Sequence, residues 1–490
     1  MEFQAPAVDL IPILPLLIVV GWGLLLMVVD LFTDDDFADN IGWLSLVGYL
    51  VALVPALLLW GESYGVFTPL DGTPMLVVDN FSHFVNVLFL VTGVIAVLLS
   101  INYLDKAERQ EAEYYYLIMF SISGMMLMGM ANDLILVFLA LELLSIPLYI
   151  LSGFARPVVT SEEAAMKYFL LGAFSSAFLV FGIALIYGTT GSTALPVVLA
   201  NLEFGDALGA AGVAMLLVGF GFKIAVVPFH MWTPDVYEGA PTSVTAFMSV
   251  GSKIAGFAAM MRIFIAALPM MGEAWVPAIA VIAALTMIVG NVVALAQQNI
   301  KRMLAYSSIA HAGYILIGVA AALGSEDAVP AALFYMLAYL FSNLGAFAVV
   351  IAVEQREGRG LMLEDYKGLA ARSPFMALGL AYFMLSLTGV PPSGGFSGKF
   401  LLFGAAIEAD LVSLALVGVV TSVISGYYYL RPVFLAFMFQ GEGEVESTIP
   451  LSTVVAVAAV ATLLLGIVPG PWFDAAQQAV LSSAELLAGG

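Results

Sequence analysis

The sequence predicts an all-α polytopic membrane protein of about 14 transmembrane helices, with two inverted five-helix repeats and with helices 7 and 12 broken. Three observations predict this fold. First, 62% of the 490 residues are hydrophobic and 10% are charged, whereas soluble domains are about 45–50% apolar and about 25% charged. Second, two apolar segments that carry Lys223 and Lys399 are each interrupted by proline. Third, the chain contains a weak internal repeat.

Apolar runs of about 20 residues mark the individual spans. They predict helices at 11–31, 41–60, 81–104, 115–130, 134–153, 164–187, 210–232, 242–268, 275–296, 303–323, 330–353, 374–407, 411–435 and 451–469. The first run is longer than the apolar core of a signal peptide, so we expect it to be retained. The twelfth would be about 50 Å long as one straight helix. Because it contains Pro391 and Pro392, we expect two half-helices there.

Loop charges predict the orientation, because short loops rich in lysine and arginine stay on the cytoplasmic side. The basic loop residues all follow odd-numbered predicted helices: Lys106, Arg109, Arg156, Lys301, Arg302, Arg356, Arg359, Lys367 and Arg372. We therefore expect these loops inside and both termini on the outer side of the plasma membrane.

The internal repeat relates 164–176 to 331–343, which agree at six of thirteen positions. Similar spacing separates Lys223 from Lys399. Chance likeness between two apolar helices is the alternative. As a true repeat, it predicts N-terminal helices 1–3 (1–114), repeat one with helices 4–8 (115–270), repeat two with helices 9–13 (271–440) and a C-terminal helix 14 (441–490). An odd number of helices per repeat gives the two units opposite orientations, as in many transporters.

Lysines lie where membrane spans are expected, at positions 167, 223, 253 and 399. A charge at the centre of a span costs roughly 2.5–3.5 kcal/mol on insertion scales, so each lysine either has a function there or keeps its charge out of the apolar core. A lysine keeps its charge out of the core by snorkelling, in which the amine reaches the interface. The functional alternative is proton transfer, for which a buried lysine is suited.

Glu142 is the one acid in the apolar run 134–151. We expect it to pair with Lys167, because a carboxylate at about 4 Å stabilises an ammonium by about 4 kcal/mol at an effective dielectric constant near 20. Moving the carboxylate away would then release the proton. A purely structural role in holding helices together is the alternative.

Two histidines are candidate proton relays. His311 lies in the middle of a predicted span, where Tyr306 and Ser307 are candidate partners. His230 lies near the cytoplasmic end of the seventh span and is a candidate entry relay. For each, the alternative is an interior histidine that only satisfies its own hydrogen bonds.

The chain has no cysteine, which excludes disulfides, thiolate zinc sites and cysteine-ligated iron–sulfur clusters. Any redox chemistry therefore belongs to partner subunits. Phosphate-binding and nucleic-acid-binding motifs are also missing from the sequence.

Three long segments resemble the antiporter-like membrane subunits of respiratory complex I. They are 223–241, 299–311 and 385–400, and the form Pro-Asp-Val-Tyr-Glu-Gly-Ala-Pro at 234–241 most resembles the subunit N branch of NADH-quinone oxidoreductases. The likeness extends over nearly the whole chain.

This resemblance implies a proton-translocating subunit driven by quinone reduction elsewhere in a complex. The family's buried proton-transfer residues match Glu142, Lys167, Lys223, Lys253 and Lys399. We expect Lys223 to take up protons, Lys253 and His311 to relay them, and Lys399 to release them outward. The Glu142 and Lys167 pair is the expected gate.

The same resemblance implies other membrane subunits as partners, an indirect link to the quinone pool and no nucleic acid. Iron–sulfur clusters, flavin and quinone are expected in partner subunits, with no cofactor or metal in this chain. The electron donor stays open between NADH, ferredoxin and a deazaflavin. Two other functions stay open as well: a subunit of a sodium/proton antiporter and a structural scaffold.

Overall fold

The structure is a computed structural model that describes residues 9–33, 38–68, 72–106, 111–355, 359–479 and 481. The helices in those ranges are α1 (Leu14–Asp30), α2 (Ala38–Leu58), α3 (Asn80–Lys106), α4 (Glu113–Met130), α5 (Leu134–Ser152), α6 (Val159–Thr190), α7 (Leu195–Asn201), α8 (Ala207–Lys223), α9 (Trp232–Gly239), α10 (Thr242–Met261), α11 (Gly272–Ala294), α12 (Ile300–Ala321), α13 (Ala328–Val353), α14 (Leu369–Arg372), α15 (Pro374–Thr388), α16 (Gly394–Glu408), α17 (Val412–Met438), α18 (Ile449–Ile467) and α19 (Gly470–Gln478). A short antiparallel hairpin pairs β1 (Tyr64–Val66) with β2 (Leu76–Val78). Arg109, Arg356 and both chain termini lie outside the described residues.

The predicted multi-pass helical architecture is confirmed. Within the described ranges, ten helices are long and apolar enough to cross a membrane, and α1, α8 and α15 are shorter apolar helices. The seventh predicted span, 210–232, covers most of α8 and the break that leads to α9, and the twelfth consists of α15 and α16. The eighth continues from α10 into a π-helical turn, Arg262–Ala267.

The break in the seventh span begins earlier than its proline. Helix α8 ends at Lys223, five residues before Pro228, and Ala225 takes a left-handed backbone conformation with φ 60°. Polar side chains satisfy backbone groups around the break: the Val227 N–H donates to the Thr286 hydroxyl at 3.0 Å, and the Trp232 indole donates to the Phe222 carbonyl at 3.0 Å. Broken backbone at membrane depth requires such partners.

The break in the twelfth span lies between α15 and α16, as the prolines predict. Gly389, with φ 93°, ends α15 in the left-handed region that glycine adopts without a steric penalty. Ser393 begins α16, and its hydroxyl accepts from the Phe396 N–H at 3.3 Å. Lys399 therefore lies in the first two turns of the second half-helix.

The centre of the bundle is formed by α10, α12 and α13. Their spans are 89%, 94% and 89% buried, whereas those of α6 and α11 are each 33% buried. Side chains on the central helices are shielded from lipid on nearly all sides. The candidate residues Lys253 and His311 lie on two of these helices, α10 and α12.

A buried ion pair joins the π-helical turn to the start of α3. The Arg262 guanidinium donates to both carboxylate oxygens of Asp79, at 2.8 and 3.1 Å, and to the Gly129 carbonyl at 3.0 Å. Both charged side chains are almost fully buried, with 3% and 2% exposed. Arg262 thus connects three segments that are distant in sequence.

Candidate functional site

Lys223 is buried at the C-terminal end of α8, and its ammonium faces α5. Its Nζ donates to the Ser145 hydroxyl at 2.7 Å and lies 5.8 Å from the centre of the Tyr168 ring. The Glu142 carboxylate, about one turn earlier on α5, attracts the same ammonium. Snorkelling does not describe this lysine, because only 3% of its surface is exposed.

The predicted pair between Glu142 and Lys167 is wrong. In the structure, Lys167 is 40% exposed and bonds to Asp235 at 2.6 Å and Glu163 at 2.7 Å, while Glu142 accepts a hydrogen bond from Ser176 at 2.5 Å. Ser176 lies nine residues beyond Lys167 on α6, which is about 13 Å along the axis. Because helical side chains lean toward the N-terminus, Lys167 extends away from Glu142.

Lys253 bonds to the backbone of the neighbouring central helix. Its side chain is 2% exposed, and Nζ donates to the Ser308 carbonyl of α12 at 2.5 Å. Ser308 lies in the middle of α12, so its carbonyl accepts the hydrogen bond from Lys253 in addition to the backbone hydrogen bond that is typical of a helix. Lys253 thereby connects α10 directly to the helix that carries His311.

His311 is hydrogen-bonded through both ring nitrogens. Nδ1 lies 2.6 Å from the Tyr335 hydroxyl, and Nε2 lies 2.9 Å from the Tyr429 hydroxyl. The Tyr429 hydroxyl also bonds to Ser307. Of the partners expected from the sequence, Ser307 is therefore linked to the imidazole through Tyr429, and the direct partners are tyrosines of α13 and α17. Two hydroxyl groups on one imidazole form a chain along which a proton can exchange.

Lys399 caps the broken end of α15. Its Nζ donates to the carbonyls of Leu387 and Thr388, both at 2.9 Å, and to the Ser422 hydroxyl at 2.8 Å. The ammonium also lies 4.6 Å from the centre of the Tyr314 ring, and this ring packs edge-on against His311 with centroids 5.8 Å apart. Tyr314 therefore lies between the two protonatable side chains.

His230 lies in the break between α8 and α9. Its side chain is half-buried, and Nδ1 is buried without a hydrogen-bond partner among the described residues. Its location fits an entry relay, which stays a prediction.

A charged cluster lies at the ends of α6, α9 and α12. Hydropathy does not predict it, because the segment 233–241 lies between two predicted spans. Arg302 donates at 2.8 Å to both Asp235 and Glu238, and Lys167 holds the other oxygen of Asp235. Burial opposes ionisation of Asp235, but the bonds from Lys167 and Arg302 outweigh it and hold the pKa of this carboxyl below its ordinary value. The cluster joins the predicted first repeat to the second.

No group of three or more histidine, aspartate or glutamate side chains placed to hold a metal ion occurs within the described part of the chain. The candidate site described above consists of lysine, histidine, carboxylate and hydroxyl side chains.

Comparison with known proteins identifies the family. The family model described as NADH:quinone oxidoreductase/Mrp antiporter, TM, matches residues 131–425. A relative from Chloroflexus aggregans, named NADH-quinone oxidoreductase subunit N, is 47% identical over 485 residues, which cover 97% of this chain and 98% of the relative. The chain belongs to the NADH-quinone oxidoreductase subunit N family.

Solved structures agree with membership of the subunit N family. A chain of respiratory complex I from Thermus thermophilus is 35% identical, with a TM-score of 0.81 and coverage of 94% of this chain and 98% of that one. A chain of the Mrp complex from Dietzia has a TM-score of 0.84 at 22% identity, covering 98% of each chain, and shows the shared fold alone. The resemblance predicted from the motifs is confirmed.

Proposed function

We propose that this chain is a proton-translocating membrane subunit of a complex I-like NADH:quinone oxidoreductase. It performs no redox chemistry itself, and its partners are the other subunits of the complex. The observation that carries the proposal is the burial of Lys223, Lys253 and Lys399, each 2–4% exposed, inside a bundle of membrane-spanning helices. Buried ionisable residues in membrane spans that lack an ion-pair partner are typical of ion and proton paths.

The proposed route begins at Lys223, reached past His230. From there the proton passes to Lys253 and His311 in the central helices and leaves through Lys399. Two features support the order: Lys253 bonds to α12 next to His311, and Tyr314 lies between His311 and Lys399. Each lysine accepts a proton from one neighbour and donates it to the next, so only protons move along the route.

Glu142 is proposed to stabilise the charged form of Lys223. Its carboxylate attracts that ammonium, and the Ser176 hydrogen bond fixes its orientation. Lys167 receives a different role, because its ammonium holds Asp235 on α9. It positions α9, which follows the broken seventh span, rather than carrying the proton along the axis.

We further propose that 115–270 and 271–440 are inverted repeats, each with one broken span and one buried lysine at the break. The basic loops are proposed to face the cytoplasm and the termini the outside of the plasma membrane. Iron–sulfur clusters, flavin and the quinone site are assigned to partner subunits.

The proposal is tested by replacing Lys223 with alanine in the intact complex and measuring protons translocated per electron pair in membrane vesicles. A fall in proton yield with normal assembly supports it, and full yield contradicts it. Sodium-driven proton exchange without a redox substrate would favour an antiporter instead. Loss of assembly in every lysine variant would favour a scaffold.

A further inference from the structure

Lys301 is a buried lysine that the route above does not use. It lies in the first turn of α12, with 2% of its surface exposed, and its Nζ donates to the Ala240 carbonyl at 2.6 Å. The carboxylates of Glu238 and Glu354 attract it. A cation at a helix N-terminus opposes the helix dipole, so helix stability alone does not favour a lysine here.

Three buried hydroxyl groups lie between Lys301 and the centre of the bundle. They belong to Tyr237, Ser308 and Tyr339, and none has a hydrogen-bond partner among the described residues. Both tyrosine hydroxyls approach that of Ser308. A buried polar group without a partner costs about 1–3 kcal/mol, and ordered water is the usual way of satisfying it. Ordered water between the three hydroxyls would satisfy them and join them into one hydrogen-bonded position.

This position connects the two ends of a path. Tyr237 precedes Ala240, the residue bonded by Lys301, by three residues. Ser308 follows Lys301 by seven residues, which is two turns and about 10 Å along the same face of α12. The Ser308 carbonyl accepts from Lys253, and the Tyr339 ring lies 4.9 Å from that of His311.

We propose that Lys301 is a further proton-loading residue of this chain, which passes protons through the Tyr237, Ser308 and Tyr339 hydroxyls to Lys253 and His311. The inference rests on the function proposed above. An N–H bond of the Lys301 ammonium breaks as an O–H bond forms on bridging water, and Lys301 stays neutral until it is reloaded from the Glu238 side. The path enters the central axis without passing Lys223.

A structural role for Lys301 would consist of tying α9 to α12 through the Ala240 carbonyl. Lys301→Arg separates the two roles, because arginine keeps the charge and the donor but does not release its proton. We expect the variant complex to assemble and its initial rate of proton translocation in vesicles to fall about tenfold or more, since a positioned proton-transfer group contributes at least that factor. A wild-type rate in Lys301→Arg would overturn the proposal.

Lys367→Arg is the matched control, because Lys367 pairs with Glu364 and lies over the Phe439 ring, away from the path. We expect this control to translocate protons at the wild-type rate. Tyr237→Phe provides a second test that does not depend on assembly of the arginine variant. It keeps the ring and removes only the hydroxyl, and a wild-type rate would contradict the path.

Lys253→Arg distinguishes failure of the inference from failure of the proposed function. If Lys253→Arg stops translocation and Lys301→Arg does not, only the Lys301 path is wrong. If both variants translocate protons normally, the proposed function itself is wrong.

Discussion

The Lys399 ammonium donates to the Leu387 carbonyl across the break between α15 and α16, at 2.9 Å. The last carbonyls of a helix have no intrahelical partner and form the negative end of its dipole. In its charged form Lys399 therefore stabilises the broken end of α15. Loss of its proton weakens that contact, so proton occupancy and the conformation of the broken span are coupled at this residue.

Lys399 variants test this coupling. Lys399→Met removes the charge and the donor, and we expect proton translocation to fall about a hundredfold. Lys399→Arg keeps a permanent cation, so the break should stay stable while translocation still falls. The measurement is the initial rate of proton translocation in vesicles, with thermal unfolding of the purified complex beside it. Normal translocation by Lys399→Arg would show that the residue does not need to release its proton.

Glu142 and Lys167 are expected to behave as members of different sites. Glu142→Gln should lower proton translocation, because it removes the carboxylate that attracts Lys223. Lys167→Met should instead loosen α9, because it removes a partner of Asp235. Hydrogen exchange of the segment 232–239 distinguishes them: we expect faster exchange in Lys167→Met and unchanged exchange in Glu142→Gln. If both variants changed hydrogen exchange and proton translocation equally, the result would support the ion pair between Glu142 and Lys167 that the sequence predicts.

The Arg262 and Asp79 pair makes a prediction about stability. Arg262→Met leaves the buried Asp79 carboxylate without its guanidinium, and breaking a buried pair in this way costs about 3–5 kcal/mol. Thermal unfolding followed by tryptophan fluorescence should show a lower midpoint. The double variant Arg262→Met with Asp79→Leu should recover much of the loss, because it leaves no buried charge behind. A double variant less stable than the single one would contradict this account.

The spans, the two breaks and the buried lysines were predictable from the sequence because hydropathy and proline act locally. An apolar run of about 20 residues is long enough to cross the membrane whichever helices surround it, and proline removes a hydrogen bond in any helix. The resemblance at 223–241 supplied the family. These signals require no knowledge of which helices are neighbours.

Partners of the charged residues were not predictable, because they depend on helix register. Glu142 and Lys167 lie on adjacent helices, yet antiparallel packing places Ser176 rather than Lys167 beside the carboxylate. The two tyrosines that bond His311 lie on other helices, 24 and 118 residues away from it in sequence. Hydropathy places Lys301 in a loop, whereas α12 begins three residues earlier than hydropathy indicates.

Asp235 makes the charged cluster sensitive to acid. Its pKa lies below its ordinary value despite burial, because Lys167 and Arg302 bond to the ionised form. A depressed pKa means that the folded state binds this proton less readily than the unfolded state, so the stabilisation is fully present above about pH 4 and is lost as the pH falls through the folded-state pKa.

At pH 7 we expect the Asp235→Asn variant to unfold at a lower temperature than the unaltered protein. The difference should shrink as the pH is lowered from about 4 toward 3, because protonation then removes the same charge from the unaltered chain. The check is the difference in unfolding midpoint between the two proteins at each pH, and a difference that stays constant down to pH 3 would show that the carboxylate charge does not stabilise the cluster.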